Sequence, residues 1–160
     1  MDRSVIQFCV FVGLVAVCFA AAGAGQLFSG GEPDGWYREL RKPNFTPPGW
    51  VFSPVWTILY LSMAAAAWLV WRRRGFRGAA GPLVLFAIQL VLNAVWPALF
   101  FGLRNPGVAF GEILVLWAAV AVTTSAFFRA SLPAGLLMLP YLAWATFAVI
   151  LNGAIWRLNL

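Results

Sequence analysis

Histidine is missing from this 160-residue chain, and acidic residues are few: five Asp and Glu stand against eleven Lys and Arg. Without imidazole there is no histidine metal ligation, no histidine acid–base chemistry and no His-ligated haem. No metal site is expected. Cysteine is scarce too. Cys9 and Cys18 lie nine residues apart in one apolar run, which excludes an intrahelical disulfide. Charge of either sign amounts to 10 % of residues, whereas 62 % are hydrophobic and the mean hydropathy is +0.85. Those values exclude an ordinary soluble domain. The net charge of +6 invites a nucleic-acid reading, but its placement opposes one. Arg72, Arg73, Arg74 and Arg77 crowd one short loop after the apolar run "AWLVW", as at the end of a membrane span meeting headgroups. Trp68 and Trp71 are expected there as interfacial anchors.

Long apolar runs, by contrast, are abundant. A membrane span needs about 20 mostly apolar residues, and five stretches qualify: 5–28, 50–71, 81–102, 107–128 and 134–156. They are continuous rather than alternating, so they read as helices and not as barrel strands. The expected fold is an all-α membrane protein, one membrane domain over 1–160 built as a five-transmembrane-helix bundle, with 29–49 as a long loop. The first run has a rival reading as a secretory signal, since small residues near Ala20–Ala24 offer cleavage sites. Its apolar stretch is longer than a signal core. An odd number of spans places the N-terminus and the arginine loop on one face, and the dense arginine cluster favours the cytoplasm for it. The long loop, on the other face, is neutralised in part by Glu32, Asp34 and Glu39.

The polar residues inside the spans gather in one half of the bilayer. At 1.5 Å per residue, Trp56, Asn93, Trp96, Glu112 and Asn152 lie about 7–12 Å below the long-loop face, and Trp144 about 19 Å. Polar groups in lipid turn toward the bundle interior, so these residues outline a pocket open toward the long loop. Helical spacing agrees: Trp56 and Tyr60 share one face of the second span, Gln89, Asn93 and Trp96 one of the third, and Trp144, Ala148 and Asn152 one of the fifth. Two readings stand side by side. Asn93, Gln89 and Asn152 serve as interhelical hydrogen-bond partners or as ligand contacts; Trp56, Trp117 and Trp144, too deep for an interfacial belt, pack or touch ligand. Trp50, Trp68, Trp71 and Trp156 read as belt residues, and Trp96 fits either role. Glu112 lies within reach of water or Arg104, and is the candidate proton-coupling group. Ala94, Ala98 and Gly102 form a row of small residues suited to close helix contact, the candidate dimer interface.

Three stretches carry a family resemblance: "WYRELRKPNFTPPGWVFSPVWTILY" (36–60), "QLVLNAVWPALFFG" (89–102) and "LPYLAWATFAVILNGAIWRLN" (139–159). Together they closely resemble the translocator protein family, whose bacterial members are called tryptophan-rich sensory proteins and whose animal member is the peripheral benzodiazepine receptor. The resemblance, to the bacterial type of member, runs from about Trp36 to Asn159 and favours a retained first span. It implies a five-helix bundle, often a homodimer, in a multi-pass membrane setting. It further implies a cavity beneath the loop between the first two helices that takes porphyrins and haem, sterols in animals, and aromatic drugs. By motif, Trp36, Trp56, Tyr60, Asn93, Trp96, Trp144, Phe147, Ala148, Leu151 and Asn152 fall in or near that cavity. "RKPNFTPP" becomes a stiff lid in which prolines restrict the backbone and Arg41 and Lys42 meet ligand carboxylates. The implied role is sensing or transport of tetrapyrroles, with no cofactor required. Light- and oxygen-dependent porphyrin breakdown at Trp56 and Trp144, and export coupled to Glu112, are the alternatives. Two features narrow the ligand. No basic residue closely follows Tyr141, as the animal sterol motif would require, so sterol is the less expected partner. The missing histidine favours metal-free protoporphyrin IX over haem, held by ring stacking and by pairing to its propionates.

Overall fold

A computed structural model describes residues 2–28 and 35–160; Glu32 and Asp34, expected to neutralise the long loop, lie outside them. The described residues are helical with no strand: α1 (Arg3–Phe28), α2 (Gly35–Glu39), α3 (Gly49–Pro97), a π-helical turn (Ala98–Gly102), α4 (Pro106–Ala130) and α5 (Leu132–Leu158). Four helices among them are long and apolar enough to cross a membrane: Arg3–Leu27, Gly49–Gly102, Pro106–Ala130 and Leu132–Leu158.

The second of these, at 54 residues, would measure about 80 Å if straight, against roughly 30 Å of bilayer hydrocarbon. It does not run straight. Gly75 adopts φ 68° and ψ 178°, a conformation open almost only to glycine, and there the helix folds back on itself. The result is two antiparallel arms, 49–74 and 76–97. Tyr60 and Asn93, 33 residues apart in sequence, consequently hydrogen-bond at 2.6 Å. In place of the short loop expected over the arginines, helix continues on both sides of a single glycine, and Arg72, Arg73, Arg74 and Arg77 are exposed around it.

α1 lies along the hairpin: the Trp68 indole donates to the Gln7 carbonyl at 3.1 Å at one end, and Gly25 is buried against Ala94 and Pro97 at the other. α4 and α5 pack against each other and against α3. Burial is inverted relative to a soluble protein. Large apolar side chains such as Phe8, Ile58, Val91 and Ile150 point outward, while Gln89, Asn93, Thr123 and Asn152 are buried. The centre is lined with small and flexible residues, among them Met63, Ala64, Ala66, Ala67, Ala79, Ala134 and Met138, all without exposed surface. Small residues let helix backbones approach closely where no aqueous driving force operates. The row Ala94–Ala98–Gly102 divides: Ala94 is half-buried against Gly25 of the same chain, while Gly102 is exposed.

The end of the second arm departs from regular α-helix. Pro97 supplies no N–H, and the Ala98 carbonyl accepts from the amide of Leu103, five residues on, at 2.8 Å. The widened turn carries Phe100 inward until it is 2 % exposed. Asn105 then caps α4, its side chain accepting from the Val108 amide at 3.1 Å ahead of Pro106, a favourable first helical residue.

Candidate functional site

Residues 35–48, ahead of α3, form a strap across the end of the bundle opposite the arginines. It is tied down at three places. Trp36 and Tyr37 on α2 rest edge-on against Phe100, at 5.9 and 6.1 Å between ring centroids, and Tyr37 also meets Phe101 at 5.5 Å. The Arg41 backbone is clipped to the end of α5: its amide donates to Asn159 Oδ1 at 3.0 Å, and Asn159 Nδ2 donates back to the Arg41 carbonyl at 2.9 Å. Further along, Phe45 contacts Phe147 of α5 at 6.3 Å. Thr46 closes a turn on the Pro43 carbonyl through both its amide and its hydroxyl.

The two strap cations differ. The Lys42 ammonium donates to the carbonyls of Arg38 and Leu40, each at 3.3 Å, and sits 4.6 Å from the centroid of the Tyr37 ring. Burial pushes the Tyr37 hydroxyl above its ordinary value, so Lys42 faces a neutral ring. Arg41 is exposed and held by its backbone alone, leaving its guanidinium at the surface.

Below the strap the sequence candidates separate into two groups. The interior group is a hydrogen-bonded set. Tyr60 donates to Asn93 Oδ1 at 2.6 Å, and Asn93 Nδ2 donates to the Tyr141 hydroxyl at 3.0 Å, tying both arms of α3 to α5. Trp56 lies over this chain, 5.3 Å from Tyr60 and 6.2 Å from Tyr141. Trp96 donates to Asn152 Oδ1 at 3.0 Å, and Asn152 Nδ2 donates to the Pro106 carbonyl at 2.9 Å, linking α3, α5 and the start of α4. Trp96 also stacks on Phe100 at 5.0 Å. Asn93 and Asn152 therefore satisfy one another's neighbours, as interhelical partners do. Gln89 is fully buried; its amide nitrogen reaches the Met63 sulfur at 3.9 Å and its carbonyl oxygen has no partner.

The second group faces outward. Trp144 and Phe147, together with Val55, Ile58, Leu59, Pro140 and Ala143, line an apolar groove of about 400 Å³ between the first arm of α3 and α5. Volumes of about 300–1,000 Å³ suit small-molecule sites. Rings continue from this groove up to the strap: Phe52 meets Trp144 at 5.8 Å, Trp144 meets Phe147 at 5.4 Å, and Phe147 meets Phe45. Leu151 is buried and Ala148 half-buried on the same helix, and Leu151 shares an apolar cluster with Trp36, Trp96, Phe100 and Phe147.

Three tryptophan assignments change or sharpen. Trp71, expected in the interfacial belt, is 8 % exposed and its indole nitrogen is unpaired, because it turns inward beside Phe76. Trp117 faces outward and donates to Thr146 at 2.8 Å. Trp50 is 75 % exposed at the start of α3. Glu112 is half-buried, and both its carboxylate oxygens are enclosed without a hydrogen-bond partner among the described residues. Residues missed in the sequence include Phe100, Phe101 and Asn159. Nothing separates Phe100 from other apolar span residues before the π-helical turn is known. Asn159, a polar residue at the end of the last span, was a weak signal available in the sequence.

A bundle of long helices with apolar outer faces, a hydrogen-bonded aromatic interior and a strapped end defines a helical membrane protein organised around an aromatic site. The chain belongs to the TspO/MBR family, which it matches over residues 14–157. It is 39 % identical over 163 residues to the tryptophan-rich protein TspO of Chlorobaculum tepidum, with 99 % of each chain covered. It is 40 % identical over 154 residues to the tryptophan-rich sensory protein of Cereibacter sphaeroides, covering 96 % of this chain and 94 % of that one. To the human translocator protein it is 43 % identical over 137 residues, 84 % of this chain and 81 % of the relative. Family membership and the long apolar helices together make it a multi-pass integral membrane protein.

Proposed function

We propose that this protein is a membrane sensor, built as a five-span bundle, that captures a flat hydrophobic aromatic ligand, a porphyrin such as protoporphyrin IX, at the strapped end. The observation that carries the proposal is the unbroken row of rings Phe52–Trp144–Phe147–Phe45 running from the 400 Å³ groove to the strap. Stacked rings hold a planar macrocycle, and the exposed Arg41 guanidinium meets its carboxylates at the surface, where charge stays hydrated. The sensory role is supported by the names of relatives, the Cereibacter protein above all. Homodimerisation through the exposed part of the Ala94–Gly102 row belongs to the same proposal.

The test is a dark titration of protoporphyrin IX into purified protein, read by tryptophan quenching. Trp144→Phe should weaken saturable binding by about 3- to 10-fold, the value of one ring contact. Trp56→Phe, inside the bundle, should change it less. Binding indifferent to Trp144 would remove the site from the groove. Repeating the titration under light separates capture from chemistry: a stable spectrum supports a sensor, and bleaching to a new product supports a degrading enzyme.

A further inference from the structure

The opposite end of the bundle carries a second groove that the aromatic site does not use. It measures about 390 Å³ and is lined by Leu85 of the second arm of α3 and by Ala121, Val122, Ser125, Ala126 and Arg129 of α4. We infer that it is a binding site for one anionic phospholipid, with an acyl chain in the apolar groove and the phosphate at Arg129.

The groove's chemistry is graded along its length. From Ala121 to Arg129 it follows α4 for about 12 Å, most of the roughly 15 Å hydrocarbon depth of one leaflet. Its floor is apolar until Ser125, whose hydroxyl is already bonded to the Ala121 carbonyl at 2.9 Å. Its end is a guanidinium at the last turn of α4. A second arginine is fixed beside it. Arg74 Nη2 donates to the Arg129 carbonyl at 2.6 Å, which holds the Gly75 turn against the end of α4. The Arg129 side chain has no partner among the described residues. Arg72, in contrast, stacks over Trp68 at 4.9 Å and is directed to another side.

Charge decides the occupant. Arg3, Arg72, Arg73, Arg74, Arg77 and Arg129 stand at this end, and among the described residues Asp2 is the only acid with them. A zwitterionic headgroup would bring its own cation into that field, whereas an anionic one matches it. Basic pockets between membrane helices take anionic headgroups in this way. A free phosphate lacks the chain that the groove accommodates.

The experiment is lipid retention by native mass spectrometry of the whole protein, extracted into neutral detergent and supplied with phosphatidylglycerol or phosphatidylcholine of equal chain length. Phosphatidylglycerol should be retained about tenfold more strongly, and millimolar glycerol phosphate should not displace it. Arg129→Gln should abolish the preference and Arg129→Lys should keep it, while Ala126→Phe, which fills the groove, should lower retention outright. If Arg129→Gln does not fold, Ala126→Phe and Arg129→Lys decide alone. Equal retention of the two lipids, a preference untouched by Arg129→Gln or Ala126→Phe, or displacement by glycerol phosphate would each overturn the assignment. Porphyrin titration of the same variants should match wild type, which keeps this site separate from the aromatic one.

Discussion

At the arginine end of the bundle, Ala66, Ala67, Ala79, Ala130 and Ala134 let backbones meet, Phe86 stacks on Phe127 at 5.9 Å, and the helices join through one glycine and one residue between α4 and α5. At the strap end, rings replace methyl groups, amides bridge helices, and the connections are longer. Close backbone packing leaves little to move, because dispersion contacts fall away steeply with small gaps. Edge-on rings at 5–6 Å and a two-bond clip hold a surface segment by contacts that open one at a time. The lesson is a division of labour along the helices: one end fixes the bundle, and the other carries the aromatic side chains and the strap.

The strongest way to break this division is Phe100→Ala. Phe100 touches Trp36, Tyr37, Trp96 and Phe101, and deleting a buried phenyl costs about 3–5 kcal/mol. Thermal stability should fall, and amide exchange should rise chiefly over residues 36–48; equal loosening at Ala66 and Ala67 would dissolve the distinction. Gly135→Ala probes the other end. A Cβ there would stand 2.3 Å from the Phe128 ring, so overpacking of about 1–3 kcal/mol outweighs the helix gain of about 1 kcal/mol. Stability should drop while porphyrin affinity holds. The smallest effect is expected of Asn159→Ala, which removes the clip at Arg41. Losing about 1 kcal/mol of local hydrogen bonding should speed exchange of the Arg41 amide several-fold and leave the melting temperature nearly unchanged.

Helical content, the membrane class and the family were legible in the sequence because each rests on runs or motifs many residues long. Apolar stretches of more than 20 residues admit few other readings, and the tryptophan-rich motifs are spread over most of the chain. By helical rise, Asn93, Trp96 and Asn152 lie at similar depth, and two of the four hydrogen bonds that join the helices there, Tyr60–Asn93 and Trp96–Asn152, link two candidates. Rotation about each helix axis was not legible. Trp71 turned inward and Trp117 outward, since depth says nothing about azimuth. The partition of Trp56 from Trp144, one over the interior chain and one in the groove, likewise depends on packing. Phe100 depends on a π-helical turn whose only local cue is Pro97.

The glycine at residue 75 has a consequence for how this chain tolerates insertion. Each residue of helix advances the side chains by about 100°, so the single reversal sets the rotational phase of one arm against the other. One residue added beside Gly75 would swing Asn93 roughly a quarter-turn away from Tyr60, turning part of the buried face toward lipid along the whole second arm. A length change that costs almost nothing in an ordinary loop here acts as a slipped gear tooth.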